Sequence, residues 1–220
     1  MPQKCIEADS MLFARKLLMW FKENKRDLPW RKECSRYRIL VTEKLPQQTD
    51  VAHVAKIYGK FFDRYPTLGS LAAADQEEIA RTIKALGFWR IRSRDLKLLA
   101  SQLLNQYCGV IPGDKQKLLQ LFGVGDYIAN AVSCFGFGKE EALIDVNVRR
   151  VAKRLFYWKS GLPPDRTLLK IFLAVIPASK TKEFNWALLD FAAKICTKSP
   201  RCNRCFATEF CEYFSDMNKI

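Results

Sequence analysis

One residue of the 220 is a histidine. It is His53, inside a periodic helical segment, where a single imidazole is more often structural than catalytic, and no role is assigned to it. No stretch approaches the roughly 18 consecutive apolar residues of a membrane span, which excludes a transmembrane helix. The opening stretch MPQKCIEADSMLFARKLLMWFKENK has no clean apolar core and no cleavage site, so it does not read as an export signal. The expected compartment is intracellular and reducing, which disfavours structural disulfides. Alternating apolar–polar runs with hairpin turns are scarce, and there is no low-complexity segment, internal repeat or long linker. Disorder is excluded as well, because 49% of the residues are hydrophobic, an ordinary share for a folded chain.

What is present in excess is positive charge. There are 37 lysines and arginines against 23 acids, a formal net charge of +14. Such an excess marks an anionic partner, nucleic acid first. A membrane surface ranks second, and no concentrated basic amphipathic segment supports it. The length permits one large domain or two small ones. Helical spacing dominates: MLFARKLLMWFKEN sets Leu12, Phe13, Leu17 and Trp20 on one side, and DVAHVAKIYGKFFDRY does the same behind Asp50, a plausible N-cap. ADQEEIARTIKALG opens with acids and is expected to stay helical to Gly87. The chain reads as all-α.

Four cysteines crowd into CTKSPRCNRCFATEFC, residues 196–211. Zinc ribbons present two C-x2-C knuckles some distance apart. Here a single C-x2-C, Cys202 and Cys205, has one cysteine on each side, a pattern closer to an iron–sulfur run, with zinc left open. Cys5, Cys34, Cys108 and Cys134 are scattered without ligand spacing and read as packing residues or free thiols.

KLLQLFGVGDYIANAVSCFGFGKEEALIDVNVRRVAKRLF, residues 117–156, is the most informative segment. A helix is expected to end at Leu121, Gly123 and Gly125 to make a tight turn, and a second helix to start near Asp126. Glycine at both positions permits positive φ, and the turn aims main-chain N–H groups at a helix N-terminus, where a phosphate is favoured. On local sequence alone, an ordinary connection with two turn glycines is an equal reading. Asp145 is a good N-cap for VNVRRVAKRLF.

From about Trp20 to Cys211 the chain resembles the helix–hairpin–helix DNA glycosylases of the endonuclease III superfamily. The likeness rests on FGVG against that family's L-P-G-V-G, then Ala129–Val132, then FGK, then an apolar pair ahead of the aspartate in LIDVNVRRV. RDLPWRK at residues 26–32 resembles the R-x-L-P-W segment of its two mismatch branches. The resemblance implies a two-lobed helical HhH-GPD fold, with a central lobe over residues 28–135 that holds the helix–hairpin–helix at 115–138. The second lobe is expected to combine 1–27 with 136–220. It further implies a [4Fe–4S] cluster on Cys196, Cys202, Cys205 and Cys211, although the first loop is one residue shorter than the family's C-x6-C-x2-C-x5-C.

The site residues follow from the same resemblance. Asp145 matches the catalytic aspartate that stabilises positive charge on the sugar or orients water. Tyr127 stands where strand-cleaving members carry the Schiff-base lysine, which implies a monofunctional enzyme and points to the thymine·guanine mismatch branch. Glu43 falls where the adenine-mismatch branch carries its general acid, and the tyrosine-bearing branch has a glutamate there too. Gln47 and Gln48 match the adenine branch's QQT and are expected to fill the gap left by a flipped nucleotide, while Pro46 departs from that pattern. Gly123, Val124 and Gly125 are expected to hold phosphate. Phe88 and Trp89 are expected to wedge between bases, with Arg90, Arg92 and Arg94 meeting the backbone. The implied function is removal of thymine or uracil opposite guanine from double-stranded DNA by a monomer, in the cytoplasm or nucleoid of a prokaryote. The alternatives are an adenine glycosylase acting on A·G or A·8-oxoguanine, and a non-catalytic DNA-binding module.

Overall fold

The computed structural model describes residues 3–46, 49–177 and 179–218, with the backbone alone for residues 3–7. Among the described residues there is no strand. The α-helices follow in order as α1 (Gln3–Asn24), α2 (Arg36–Lys44), α3 (Val51–Arg64), α4 (Leu68–Ala73), α5 (Gln76–Thr82) and α6 (Trp89–Tyr107). Then come α7 (Lys115–Leu119), α8 (Asp126–Ala131), α9 (Val146–Phe156), α10 (Asp165–Val175), α11 (Thr181–Lys194) and α12 (Glu212–Met217). No helix among the described residues is long and apolar enough to cross a membrane. The chain divides into two compact units, Asp27–Lys139 and Met1–Arg26 joined with Glu140–Ile220.

Short polar residues start half of these helices. Ser35, Asp50, Thr67, Asp75, Asp114 and Asp145 each accept backbone N–H bonds from the first turn that follows. Each such cap stabilises its helix by about 1 kcal/mol. Two expected boundaries move. The helix expected to reach Gly87 stops at Thr82 and tightens into a 3₁₀ turn, Lys84–Leu86. That turn lets Ile83 and Leu86, both buried, share one side, because residues three apart eclipse in 3₁₀ geometry. The helix expected to reach Leu121 stops at Leu119, because Gln102 takes over the next backbone groups: its amide donates to the Gln120 carbonyl at 3.0 Å and its carbonyl accepts from Phe122 N–H at 2.7 Å. The run after LPPD forms α10, which periodicity did not single out.

In the unit Asp27–Lys139, α4 and α5 pack on α6, and Ile79, Ile83, Leu96, Leu99 and Leu103 are buried between them. Trp30 fulfils a packing role, its ring 5.6 Å from that of Tyr58. In the other unit α1 and α9 pack on α11. Phe13 and Leu17 of α1 meet Phe184, Leu188 and Phe191 of α11 and Val148, Val151 and Leu155 of α9. Each side chain of this size contributes about 1.5–3 kcal/mol on burial. Asp190, fully buried on α11, is held by the backbone N–H and the guanidinium of Arg26.

Candidate active site

In the unit Asp27–Lys139, α2 packs against α8 and the π-helical turn Val132–Gly136 that prolongs it. This contact brings Glu43, on the last turn of α2, to Tyr127, on the first turn of α8, and the phenol hydroxyl hydrogen-bonds the carboxylate. The residue as a whole keeps a partial opening to water, while the carboxyl itself lies deep among protein atoms. Burial pushes its pKa up to about 7, against the opposing pull of the Tyr127 hydrogen bond. The result is a carboxyl group that carries its proton near neutral pH.

The hairpin sits two residues before Tyr127. Of its two glycines only Gly123 uses positive φ, at 66°. Gly125 is extended at φ −99°, so the expectation of positive φ at both positions is corrected. Val124 is buried and its N–H closes the turn on the Leu121 carbonyl at 3.1 Å. Lys44, beside Glu43, donates from Nζ to the Gly123 carbonyl at 3.0 Å.

Gln47 and Gln48 lie outside the described residues. The two ends of their loop are fastened by Arg92, which donates to the Leu45 carbonyl and to Thr49 Oγ1. Arg92 is therefore buried and is not the backbone contact expected of it. Its neighbours differ. Phe88 is 62% exposed and adopts left-handed backbone, φ 46°. Trp89 is half-buried under the Arg90 guanidinium, which stacks 4.0 Å from its ring. Arg94 is exposed and paired with Asp95 at 3.0 Å.

In the other unit, Asp145 caps α9. Its Oδ1 accepts from Asn147 N–H at 2.9 Å and Val148 N–H at 2.7 Å, and its Oδ2 from the Asn147 amide at 2.7 Å. Asn147 Oδ1 in turn accepts from Arg150 at 2.9 Å, and Arg150 donates to the carbonyls of Cys196 at 2.9 Å and Ala192 at 3.0 Å. One turn on, Arg154 donates to Cys196 Sγ at 3.6 Å and to the Lys198 carbonyl at 2.8 Å. Positions 147, 150 and 154 share a helix face, so α9 carries both the aspartate and the support of the cysteine loop.

Cys196, Cys202, Cys205 and Cys211 line one cavity together with Arg154, Leu155, Phe191 and Ile195. Among the described residues no three His, Cys, Asp or Glu side chains converge on a single-ion metal position. Burial pushes the Cys205 thiol up to about 11, and thiolate charge on Cys196, Cys211 and Cys202 adds to the rise while the Ala207 N–H opposes it. That N–H reaches Cys205 Sγ at 3.4 Å. Four thiols that repel one another when ionised, with N–H donors aimed at Cys196, Cys205 and Cys211, are a donor set that a cationic metal–sulfur core suits.

The sequence reading missed Lys44, Asn147, Arg150 and Arg154. A charged residue inside the apolar stretch ILVTEKL, and the polar 147–150–154 stripe on an otherwise apolar-faced helix, were the signals.

A helix–hairpin–helix turn, a capped aspartate and a four-cysteine loop in this order define a class, and comparison agrees. Residues 41–177 match the family model described as HhH-GPD superfamily base excision DNA repair protein. The chain is 38% identical over 220 residues to the thymine/uracil-DNA glycosylase of Pyrobaculum aerophilum, covering 96% of each. It is 38% identical over 192 residues to the adenine DNA glycosylase of Mycolicibacterium smegmatis, covering 86% of this chain and 65% of that protein. It is similar to the structure of a thermostable thymine-DNA glycosylase with TM-score 0.88 at 35% identity, covering 95% of this chain and 98% of that one. The chain belongs to the HhH-GPD superfamily of base excision DNA repair proteins.

Proposed function

We propose that the chain is a monofunctional DNA glycosylase that removes thymine or uracil opposite guanine from double-stranded DNA. The observation that carries this reading is the Glu43–Tyr127 pair: a carboxyl group with its pKa raised to about 7, bonded to a phenol. Glu43 gives its proton to the departing base as the N-glycosidic bond breaks. Positive charge develops on the sugar, and the Asp145 carboxylate stabilises it or orients the attacking water. Oδ1 of Asp145 already accepts two backbone bonds, so Oδ2 has the freer lone pairs for this work. Water adds at the sugar and gives up a proton, which leaves to solvent while Glu43 regains one for the next turnover, and the products are a free base and an abasic site. A phenol cannot form an imine with the sugar, so the strand stays intact.

Gly123, Val124 and Gly125 are the phosphate-binding turn, Gln47 and Gln48 the gap-filling pair, and exposed Phe88 the wedge, with Arg90 at its side. Cys196, Cys202, Cys205 and Cys211 hold a [4Fe–4S] cluster. Their shared cavity and the single C-x2-C flanked by one cysteine on each side favour it over zinc. When bound, the cluster supplies a rigid cross-link of the loop and no step of the excision. The protein acts as a monomer inside a prokaryotic cell.

The adenine reading rests on Glu43 together with Gln47, Gln48 and Thr49. Thymine or uracil is preferred because Tyr127 and its flanks match that branch. The test is to incubate the protein with labelled duplexes carrying T·G, U·G, A·G and A·8-oxoguanine, with and without hot alkali. Alkali-dependent breaks in T·G and U·G are expected. Breaks without alkali would remove the monofunctional claim, and no abasic product from any duplex would leave the non-catalytic binding module, which Asp145→Asn would then not affect.

A further inference from the structure

Lys44 is a buried cation that the excision chemistry does not use. It is 4% exposed, on the last turn of α2, where Val41 and Leu45 are buried as well. Its ammonium donates to the Gly123 carbonyl at 3.0 Å. The same ammonium occupies the space that a side chain on Gly123 would fill, so a methyl group built there overlaps it. Gly123 also has φ 66°, which favours glycine on its own account. Lysine and glycine at these two positions therefore fit as a pair.

Packing alone does not call for the charge. A buried ammonium is costly, and an apolar side chain of the same length would fill the volume without that penalty. Asp95 acts on Lys44 electrostatically, and its carboxylate is already paired with Arg94 at 3.0 Å. The positive charge is thus left largely for the hairpin. Glu43 and Lys44 are consecutive on α2, and they hold Tyr127 and Gly123, four residues apart across the turn.

We propose that Lys44 is a positioning residue for DNA binding: it pins the hairpin to the helix that carries the pocket acid and puts a fixed positive charge behind the turn that meets phosphate. Resting on the reading of this hairpin as a DNA-backbone contact, it adds a residue outside the chemistry, so its effect falls on affinity and not on the excision step. The register between base pocket and backbone contact is set by one helix end.

The test compares the full-length protein with Lys44→Met and Lys44→Gln. Binding to a T·G duplex and to a matched duplex is followed by fluorescence anisotropy across a salt series, with single-turnover excision at saturating enzyme beside it. Both variants are expected to bind both duplexes about tenfold more weakly near 0.1 M salt, with a shallower slope of log K against log salt, by up to about 0.9, the value of one phosphate contact held by the turn. The excision rate at saturation is expected to stay within about twofold of the parent. Lys44→Gln carries the test if Lys44→Met does not fold. Unchanged affinity and slope with a lower melting temperature would reduce Lys44 to packing and overturn the proposal. A fall in the saturated rate with an unchanged slope would overturn it too, assigning Lys44 to Glu43. If the parent binds DNA but excises no base while the variants lose slope, the glycosylase reading fails and the role of Lys44 stands. A parent that does not bind duplex DNA removes the hairpin reading and this proposal together.

Discussion

Asn147 donates its side-chain amide to Oδ2 of Asp145 across 2.7 Å, and the other end of that amide accepts from Arg150. Arg150 continues to the carbonyl of Cys196, so three hydrogen bonds connect the proposed sugar-side carboxylate to the first residue of the cysteine loop. The path runs along one face of α9, whose other face is buried in the unit's core through Val148, Val151 and Leu155. A carboxylate placed by two backbone donors and one side chain has little freedom to turn, which is what charge stabilisation at a sugar needs.

Asn147→Ala leaves both backbone bonds to Asp145 and removes the amide. The carboxylate gains a rotation about its side-chain bond, and Arg150 loses an acceptor. Single-turnover excision is expected to slow by about tenfold to a hundredfold. Affinity for a T·G duplex should stay near the parent value, measured by anisotropy. An unchanged rate would show that the backbone donors alone position Asp145.

In the proposed reaction Glu43 sets the pH profile. The protonated form is the donor, so excision at saturating enzyme is expected to be highest below pH 7 and to fall as pH rises through about 7. Tyr127→Phe removes the bond that holds this pKa down, so the falling limb should move to higher pH; Glu43→Gln should abolish the limb along with most of the rate. The stability effect has the same origin. A folded-state pKa raised above the ordinary 4.5 contributes stability that is complete below 4.5 and is lost as pH rises through about 7. Glu43→Gln is therefore expected to be near neutral at pH 4.5 and stabilising at pH 8. The gain is on the order of 1–2 kcal/mol, less than the full shift implies, because the residue keeps partial access to water. Denaturant titrations at the two pH values check it.

Helix starts were legible wherever a short polar residue preceded an apolar period, as at Asp50 and Asp145, because a cap is a local interaction. Tyr127 and Glu43 were legible as separate motif positions, but their hydrogen bond was not, since it depends on how α2 packs on α8. Arg92 looked like one of three arginines on a basic face. Only the fold shows that its side chain turns inward to the Leu45 carbonyl and Thr49, a long-range contact across more than forty positions. Helix ends at Thr82 and Leu119 were misjudged because tertiary partners, burial of Ile83 with Leu86 and the grip of Gln102, overrode local propensity.

Cys205→Ser tests the cysteine loop. The purified parent is expected to show a broad visible absorption that acid abolishes, and the variant to lack it. Without the proposed four-way cross-link, the Cys196 carbonyl no longer has a fixed place for Arg150, so the melting temperature should fall and excision should slow while the Glu43 pH limb stays where it was. A colourless, zinc-loaded parent would assign the loop to zinc instead.

Phe88 separates stability from function. It is 62% exposed and holds φ 46°, a left-handed conformation that costs an ordinary residue about 1–2 kcal/mol and costs glycine almost nothing. Its exposure means that little burial is lost on truncation. Phe88→Gly is therefore expected to leave the protein as stable as the parent or more stable by about 1 kcal/mol, read as a raised denaturant midpoint. The same variant loses the proposed apolar wedge, so its affinity for a T·G duplex and its excision rate should both drop, while the variant remains folded and keeps the Glu43 pH limb. Such strain is retained where the surrounding structure fixes it for use. A variant that is less stable and equally active would show that the ring packs the fold and does not enter DNA.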